Sequence, residues 1–116
     1  MAGSSAKTNC AGKFGNDLGR LFEPKSLAMH QSVYDLTQSL GLTAKGSYIG
    51  VDFNSEGKYV YFSNGEEIPF TIPWNSNEPN GSGHGSEVCM VIGYQNAYEW
   101  NDAACSHIAG SICERV

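Results

Sequence analysis

Trp100-Asn101-Asp102-Ala103-Ala104-Cys105, with Glu87-Val88-Cys89 upstream of it, carries the strongest structural signal in this chain. Both pieces set oxygen-bearing side chains just before a cysteine, and a third cluster, Glu78-Pro79-Asn80, precedes them. Carboxylate and amide oxygens suit a hard cation such as Ca2+, which takes six to eight oxygen ligands, whereas zinc or copper asks for His or Cys. Glu78, Glu87 and Asp102 also bring three negative charges, which repel one another unless a divalent ion sits among them. The same residue types are ordinary turn formers. Composition alone therefore does not separate a metal site from a set of turns, and spacing has to decide.

Cys10, Cys89, Cys105 and Cys113 are the only cysteines. An even number in a small chain with 14 glycines favours a disulfide framework and an oxidising compartment, with three connectivities open. A Cys89 to Cys105 bond would hold the second and third clusters together by closing a loop of about sixteen residues, worth roughly 3 kcal/mol. No Cys-x-x-Cys pair occurs, and His84 and His107 stand at no zinc-finger spacing.

Outward from these clusters, Val88-Cys89-Met90-Val91-Ile92 reads as a buried strand, followed by polar turns around 94–101 and a last strand at about 111–115. Residues 71–88 hold Pro73, Pro79 and many Asn, Gly and Ser, so they read as a long irregular loop, a type that is usually functional or disordered. Ser47-Tyr48-Ile49-Gly50-Val51 is a short β-rich run, and Lys58-Tyr59-Val60-Tyr61-Phe62 leads through Asn64-Gly65 to Glu67-Ile68-Pro69-Phe70 as a hairpin. Leu27, Met29, Val33, Leu36 and Leu40 recur at helical spacing, Pro24 suits a first helical position and Gly41 is a stop. A helix is expected over 24–40. The first dozen residues read as a short helix or a frayed end with Cys10 buried. The class is α+β.

At 116 residues, 41% of them hydrophobic and 16% charged, the chain has the length of a single domain and the makings of a core. The net charge of -5 and the scattered basic residues argue against a nucleic-acid partner. No apolar run is long enough to span a bilayer, and Met1-Ala2-Gly3-Ser4-Ser5 has no signal-peptide pattern. No membrane insertion is expected.

Taken in order, several motifs resemble those of the C-type lectin-like domain, in particular the collectin-like carbohydrate-recognition domain. They are Ala6-x-x-x-Cys10, Gly19-Arg20-Leu21 before a helix, Tyr48-Ile49-Gly50-Val51, and Trp74 four residues before Glu78-Pro79-Asn80. Glu87-x-Cys89, Trp100-Asn101-Asp102-x-x-Cys105 and Ile112-Cys113-Glu114 complete the set, which covers residues 6 to 115. The resemblance implies one carbohydrate-recognition domain over 1–116, with two helices, small antiparallel sheets and a long calcium-binding loop. It implies disulfides Cys10 to Cys113 and Cys89 to Cys105. The strand that opens the family's fold, paired to the terminal strand, is missing from the reading, so the end strand around Ile112 is expected to be an edge open to pairing with another copy.

By position, the resemblance makes Glu78, Asn80, Glu87, Asn101 and Asp102 the ligands of Ca2+ and of a sugar, with Asp102 binding through side-chain and backbone oxygens. Two vicinal sugar hydroxyls would fill the remaining sites, each giving a lone pair to calcium, donating to a carboxylate and accepting from an Asn amide. Glu78-Pro79-Asn80 matches the mannose-type motif, with Pro79 cis. A second metal position at Asp52 and Glu56 is matched in part, since Gly81 and Val88 stand where acids are expected. Trp74, Val91 and Trp100 are read as core, His84 as an exposed loop residue, and Tyr94 and Tyr98 as turn residues or sugar-lining. The sequon Asn80-Gly81-Ser82 is expected to stay unmodified, because a glycan there would block the site.

The implied function is non-enzymatic binding of terminal mannose-, fucose- or N-acetylglucosamine-type sugars on glycans or glycoproteins. Secretion and a homodimer or multivalent assembly go with it. The alternative is a lectin-like protein- or surface-recognition module with structural calcium or none. A hydrolase using Glu78 and Glu87 as acid and base fails on chemistry, because metal-bound carboxylates hold no proton to donate.

Overall fold

A computed structural model of the chain describes residues 3–12, 18–41, 45–75, 88–95 and 97–115. Its centre is β2 (Lys45–Phe53), flanked on one side by β3 (Tyr59–Tyr61) and on the other by β4 (Val88–Tyr94), with β5 (Trp100–Ala104) beyond β4. These four are antiparallel, and β6 (Gly110–Ser111) adds in parallel to β2. A second, two-stranded sheet pairs β1 (Gly19–Leu21) with β7 (Cys113–Arg115). Helix α1 spans Gly3–Gly12 and α2 spans Leu27–Ser39.

The period-two alternation of a strand explains the continuous apolar run of β4. Met90 and Ile92 face one side, with Ile49, Val51 and Trp100, while Cys89 and Val91 face the other, with Tyr48, Ala6 and Cys10. Both faces are covered, so both sets of side chains are apolar. Trp100 is fully buried and Trp74 packs half-buried against it, as expected from the sequence.

Where β2 crosses β1, the backbones nearly touch. A Cβ on Gly50 would lie 2.8 Å from the Leu21 carbonyl oxygen and 2.8 Å from Glu23 Cγ, and the Gly50 N–H donates to the Phe22 carbonyl at 2.7 Å. Gly50→Ala is therefore expected to destabilise the fold by about 3 kcal/mol, the upper range for overpacking a tight core. Urea unfolding of the variant measures this. The adjoining Glu23 is buried, and its carboxylate accepts from the Ser63 N–H at 2.9 Å, the Ser63 hydroxyl at 2.6 Å and Lys25 Nζ at 3.3 Å.

Both expected disulfides form, Cys10 with Cys113 and Cys89 with Cys105. Other expectations are corrected. The second helix begins at Leu27, not Pro24: Ser26 is its N-cap, accepting from the Met29 N–H at 3.1 Å, while buried Pro24 gives its carbonyl to the Tyr61 hydroxyl at 2.6 Å. The inward face of α2 is mixed, with Val33 packed on the core beside His30 and Thr37. His30 and Thr37 are buried, whereas Leu27, Met29, Leu36 and Leu40 are exposed. The Asn64-Gly65 hairpin forms but is short: an antiparallel bridge joins Val60 and Glu67, flanked by Tyr61 N–H to the Glu66 carbonyl and Ile68 N–H to the Tyr59 carbonyl, each at 3.0 Å, and Pro69, which has no N–H, follows. The end strand β7 pairs with β1 along Gly19 to Arg115 and Leu21 to Cys113, and among the described residues its other side is an edge, as expected. Among the described residues no strand precedes α1, and none of the helices is long and apolar enough to cross a membrane.

Candidate functional site

Asn101 and Asp102 sit on β5, opposite Val91 and Met90 of β4. The Cys89 to Cys105 bond closes the end of this pair. Strand alternation puts the two side chains on opposite faces: Asp102 is buried on the Trp100 side, and Asn101 is half-buried on the other. Between the two faces runs the edge of β5 that lies away from β4.

That edge is where the preceding segment arrives. The Trp100 N–H donates to the Pro73 carbonyl at 2.8 Å, and the Asn75 N–H donates to the Trp100 carbonyl at 3.0 Å. The Trp74 to Trp100 bridge is parallel, so the chain passing from Trp74 to Asn75 runs along β5 towards Asn101 and Asp102. Asn75 Nδ2 donates to Asn101 Oδ1 at 3.3 Å, which orients the amide. Asn75 was not singled out from the sequence; its place directly after Pro73-Trp74, before the Glu78 cluster, was the available signal. Glu78, Asn80 and Glu87 lie outside the described residues, as do Pro79, His84 and the sequon.

Asp52 is half-buried in β2, with Oδ1 accepting from the Phe53 N–H at 2.8 Å, and Glu56 is exposed. The turn between β2 and β3 is held by Asn54, whose Oδ1 accepts from the Glu56 and Lys58 N–H groups at 3.0 and 2.9 Å. Among the described residues, no cluster of three or more His, Cys, Asp or Glu could hold a metal. The cleft between α1, β1 and the turn after β3, about 200 Å³, is lined by Lys7, Arg20, Glu23 and Phe62. Its charges are engaged: Lys7 lies over the Phe62 ring at 4.1 Å, and Arg20 pairs with Glu114 at 2.8 Å.

Tyr98, read from sequence as a turn or sugar-lining residue, packs instead on α2. Its ring lies 4.4 Å from His30 and 5.6 Å from Tyr34. His30 is fully buried, with Nε2 at 2.8 Å from the Tyr98 carbonyl oxygen and its ring 5.7 Å from Trp100. Among the described residues, His30 Nδ1 and Trp100 Nε1 have no hydrogen-bond partner. Burial pushes the His30 pKa below the ordinary histidine value of 6.5, against the opposing pull of the Tyr98 carbonyl and Glu99. The unfolded chain thus binds this proton more readily, so stability is full above pH 6.5 and falls as pH drops below it, through the folded pKa. Comparing urea midpoints of the protein and of His30→Phe between pH 7.5 and 5 checks this: the protein should lose more stability on acidification than the variant.

No protein-family model matches the chain. Over 100% of its length it superposes on the carbohydrate-recognition domain of the human scavenger receptor C-type lectin, covering 84% of that chain with a TM-score of 0.78 and 21% identity. The fold is that of a C-type lectin domain. The cow CD23 carbohydrate-recognition domain, solved in the presence of a GlcNAc2Man3 oligosaccharide, is similar to the same degree: TM-score 0.73, 21% identity, covering 100% of this chain and 81% of that one. In sequence the chain is 36% identical over 77 residues to the mouse low affinity immunoglobulin epsilon Fc receptor, covering 65% of this chain and 22% of the receptor. The chain spans between 22% and 44% of the length of the curated relatives it matches. These similar proteins are lectins and receptors, not enzymes.

Proposed function

We propose that residues 1–116 form one carbohydrate-recognition domain that binds Ca2+ through Glu78, Asn80, Glu87, Asn101 and Asp102. Terminal mannose-, fucose- or N-acetylglucosamine-type sugars on glycans or glycoproteins are its ligands. The observation that carries this reading is that both stems of the long segment end on β5. Asn75 bonds to Trp100 and Asn101, and Val88 pairs with Ala104. Glu78 is three residues past Asn75 and Glu87 is next to Val88, so a covalent reach of at most roughly 3.6 Å per residue allows these two carboxylates to approach Asn101 and Asp102. The donor set is oxygen throughout, which fits calcium.

When bound, the ion supplies a positive centre with open positions for two vicinal hydroxyls. The protein's part is to orient them: each carboxylate accepts a hydroxyl proton and each amide donates to a hydroxyl oxygen. The Glu-Pro-Asn order favours the mannose-type pair of hydroxyls. Asp52 and Glu56 are the place for a second ion. The disulfides fit a secreted, extracellular protein. A second reading, recognition of a protein surface, is favoured by the likeness to an immunoglobulin Fc receptor; in that case calcium is structural or absent.

Calcium binds the folded chain and not the unfolded one, so it stabilises by mass action, about 2.7 kcal/mol at a hundredfold excess over Kd. Thermal unfolding in calcium and in chelator tests the reading. A melting temperature several degrees higher in calcium is expected, and identical curves would refute the ligand set.

A further inference from the structure

Asn75 stands at the edge of β5 and is fixed there twice. Its backbone N–H donates to the Trp100 carbonyl at 3.0 Å, and one residue further along β5 its side-chain Nδ2 donates to Asn101 Oδ1 at 3.3 Å. The parallel bridge of Trp74 to Trp100 keeps the two asparagines side by side, and both are half-buried. The side-chain bond has a direction. A carboxamide carries an acceptor on oxygen and donors on nitrogen, and its two ends have nearly the same shape. Packing therefore does not distinguish the Asn101 amide from the same amide turned over. Hydrogen bonding does: Asn75 presents its donor to Asn101, which selects the state with Oδ1 facing Asn75 and Nδ2 facing away.

We propose that Asn75, outside the ligand set, is a positioning residue that sets the specificity of the site. The polarity of its bond decides on which side of Asn101 a cation is held and on which side a sugar hydroxyl oxygen. The inference rests on the calcium and sugar site described under the proposed function and adds a residue to it. A cation binds the oxygen of a carboxamide, and a hydroxyl oxygen accepts from its nitrogen, so turning the Asn101 amide over exchanges the two. An aspartate in place of Asn75 has the same shape, no donor and two acceptors, and would draw Asn101 Nδ2 to itself. A leucine there is close in shape, has no polar atom, and would leave both amide states open.

Asn75→Asp and Asn75→Leu both retain the backbone bond to Trp100 and differ only at the side chain. In chelator, NMR of the isotope-labelled chain should show cross-peaks between the Asn101 side-chain amide protons and the β protons of residue 75 in Asn75→Asp, and none in the unmutated chain. On an immobilised mannose-terminated glycan in calcium, Asn75→Leu should bind about fivefold more weakly, the loss of one orienting hydrogen bond. Asn75→Asp should bind about tenfold more weakly or worse, because there the wrong orientation is held. The melting temperature in chelator should move by no more than about 3 °C in either variant. An Asn101 amide that stays unturned in Asn75→Asp overturns the proposal, and so does either variant binding the glycan as tightly as the unmutated chain. An unmutated chain that is not retained in calcium refutes the calcium and sugar site itself, and the role of Asn75 falls with it. The amide measurement in chelator tells that failure from a failure of Asn75 to orient Asn101.

Discussion

Replacing Cys10 and Cys113 together by alanine should cost about 4.7 kcal/mol, the chain-entropy value for a loop of about a hundred residues. The bond spans 103 positions and joins two short elements. In α1 the buried side chains are Ala6 and Cys10, one turn apart, and β7 has three residues, paired with β1. Domains of this size are stable by about 5 to 15 kcal/mol, so the loss takes most of the margin. Urea unfolding should show the double variant partly unfolded at 37 °C. Removing Cys89 and Cys105, which close 16 positions, should cost about 3 kcal/mol because β4 and β5 remain paired. Equal midpoints for the two double variants would contradict this ordering.

Asp102→Ala should abolish both calcium-dependent stabilisation and sugar binding, lowering sugar affinity at least a hundredfold, or about 2.7 kcal/mol. In the proposed site Asp102 supplies side-chain and backbone oxygens together, so its loss removes a carboxylate from the ion's shell and an acceptor from a hydroxyl. Asp102 is buried beside the Trp100 core, so the variant will also be less stable without calcium. The decisive readout is therefore the shift that calcium produces, not the melting temperature itself. A variant that keeps the calcium shift and still binds sugar would remove Asp102 from the site.

Strands built from continuous apolar residues were legible in the sequence, and strands built from mixed ones were not. β4 announces itself through Val88 to Ile92. The start of β5, Trp100 and Asn101, falls in the stretch read as polar turns, and Asp102, Ala103 and Ala104 lack the β-branched and aromatic bias of strands, so only pairing with β4 makes them extended. β1 has three residues, Gly19, Arg20 and Leu21, too few for any period to show. Spacing alone does not orient α2, where large apolar side chains would ordinarily point inward. Here His30 goes in instead, held by the Tyr98 carbonyl and the rings of Tyr98 and Trp100. Of the candidate ligands, the structure locates Asn101 and Asp102 on β5 and adds Asn75 as the residue that orients Asn101. Glu78, Asn80 and Glu87 belong to the part of the chain outside the described residues.

Binding to an immobilised mannose-terminated glycan, with calcium and with chelator and with free mannose or galactose as competitor, separates a calcium-dependent sugar site from a protein-recognition face. Retention in calcium, release by chelator, and displacement by mannose at about millimolar concentration, with galactose weaker, are expected. Retention that survives the chelator, or no retention in calcium, would contradict the calcium-dependent sugar site.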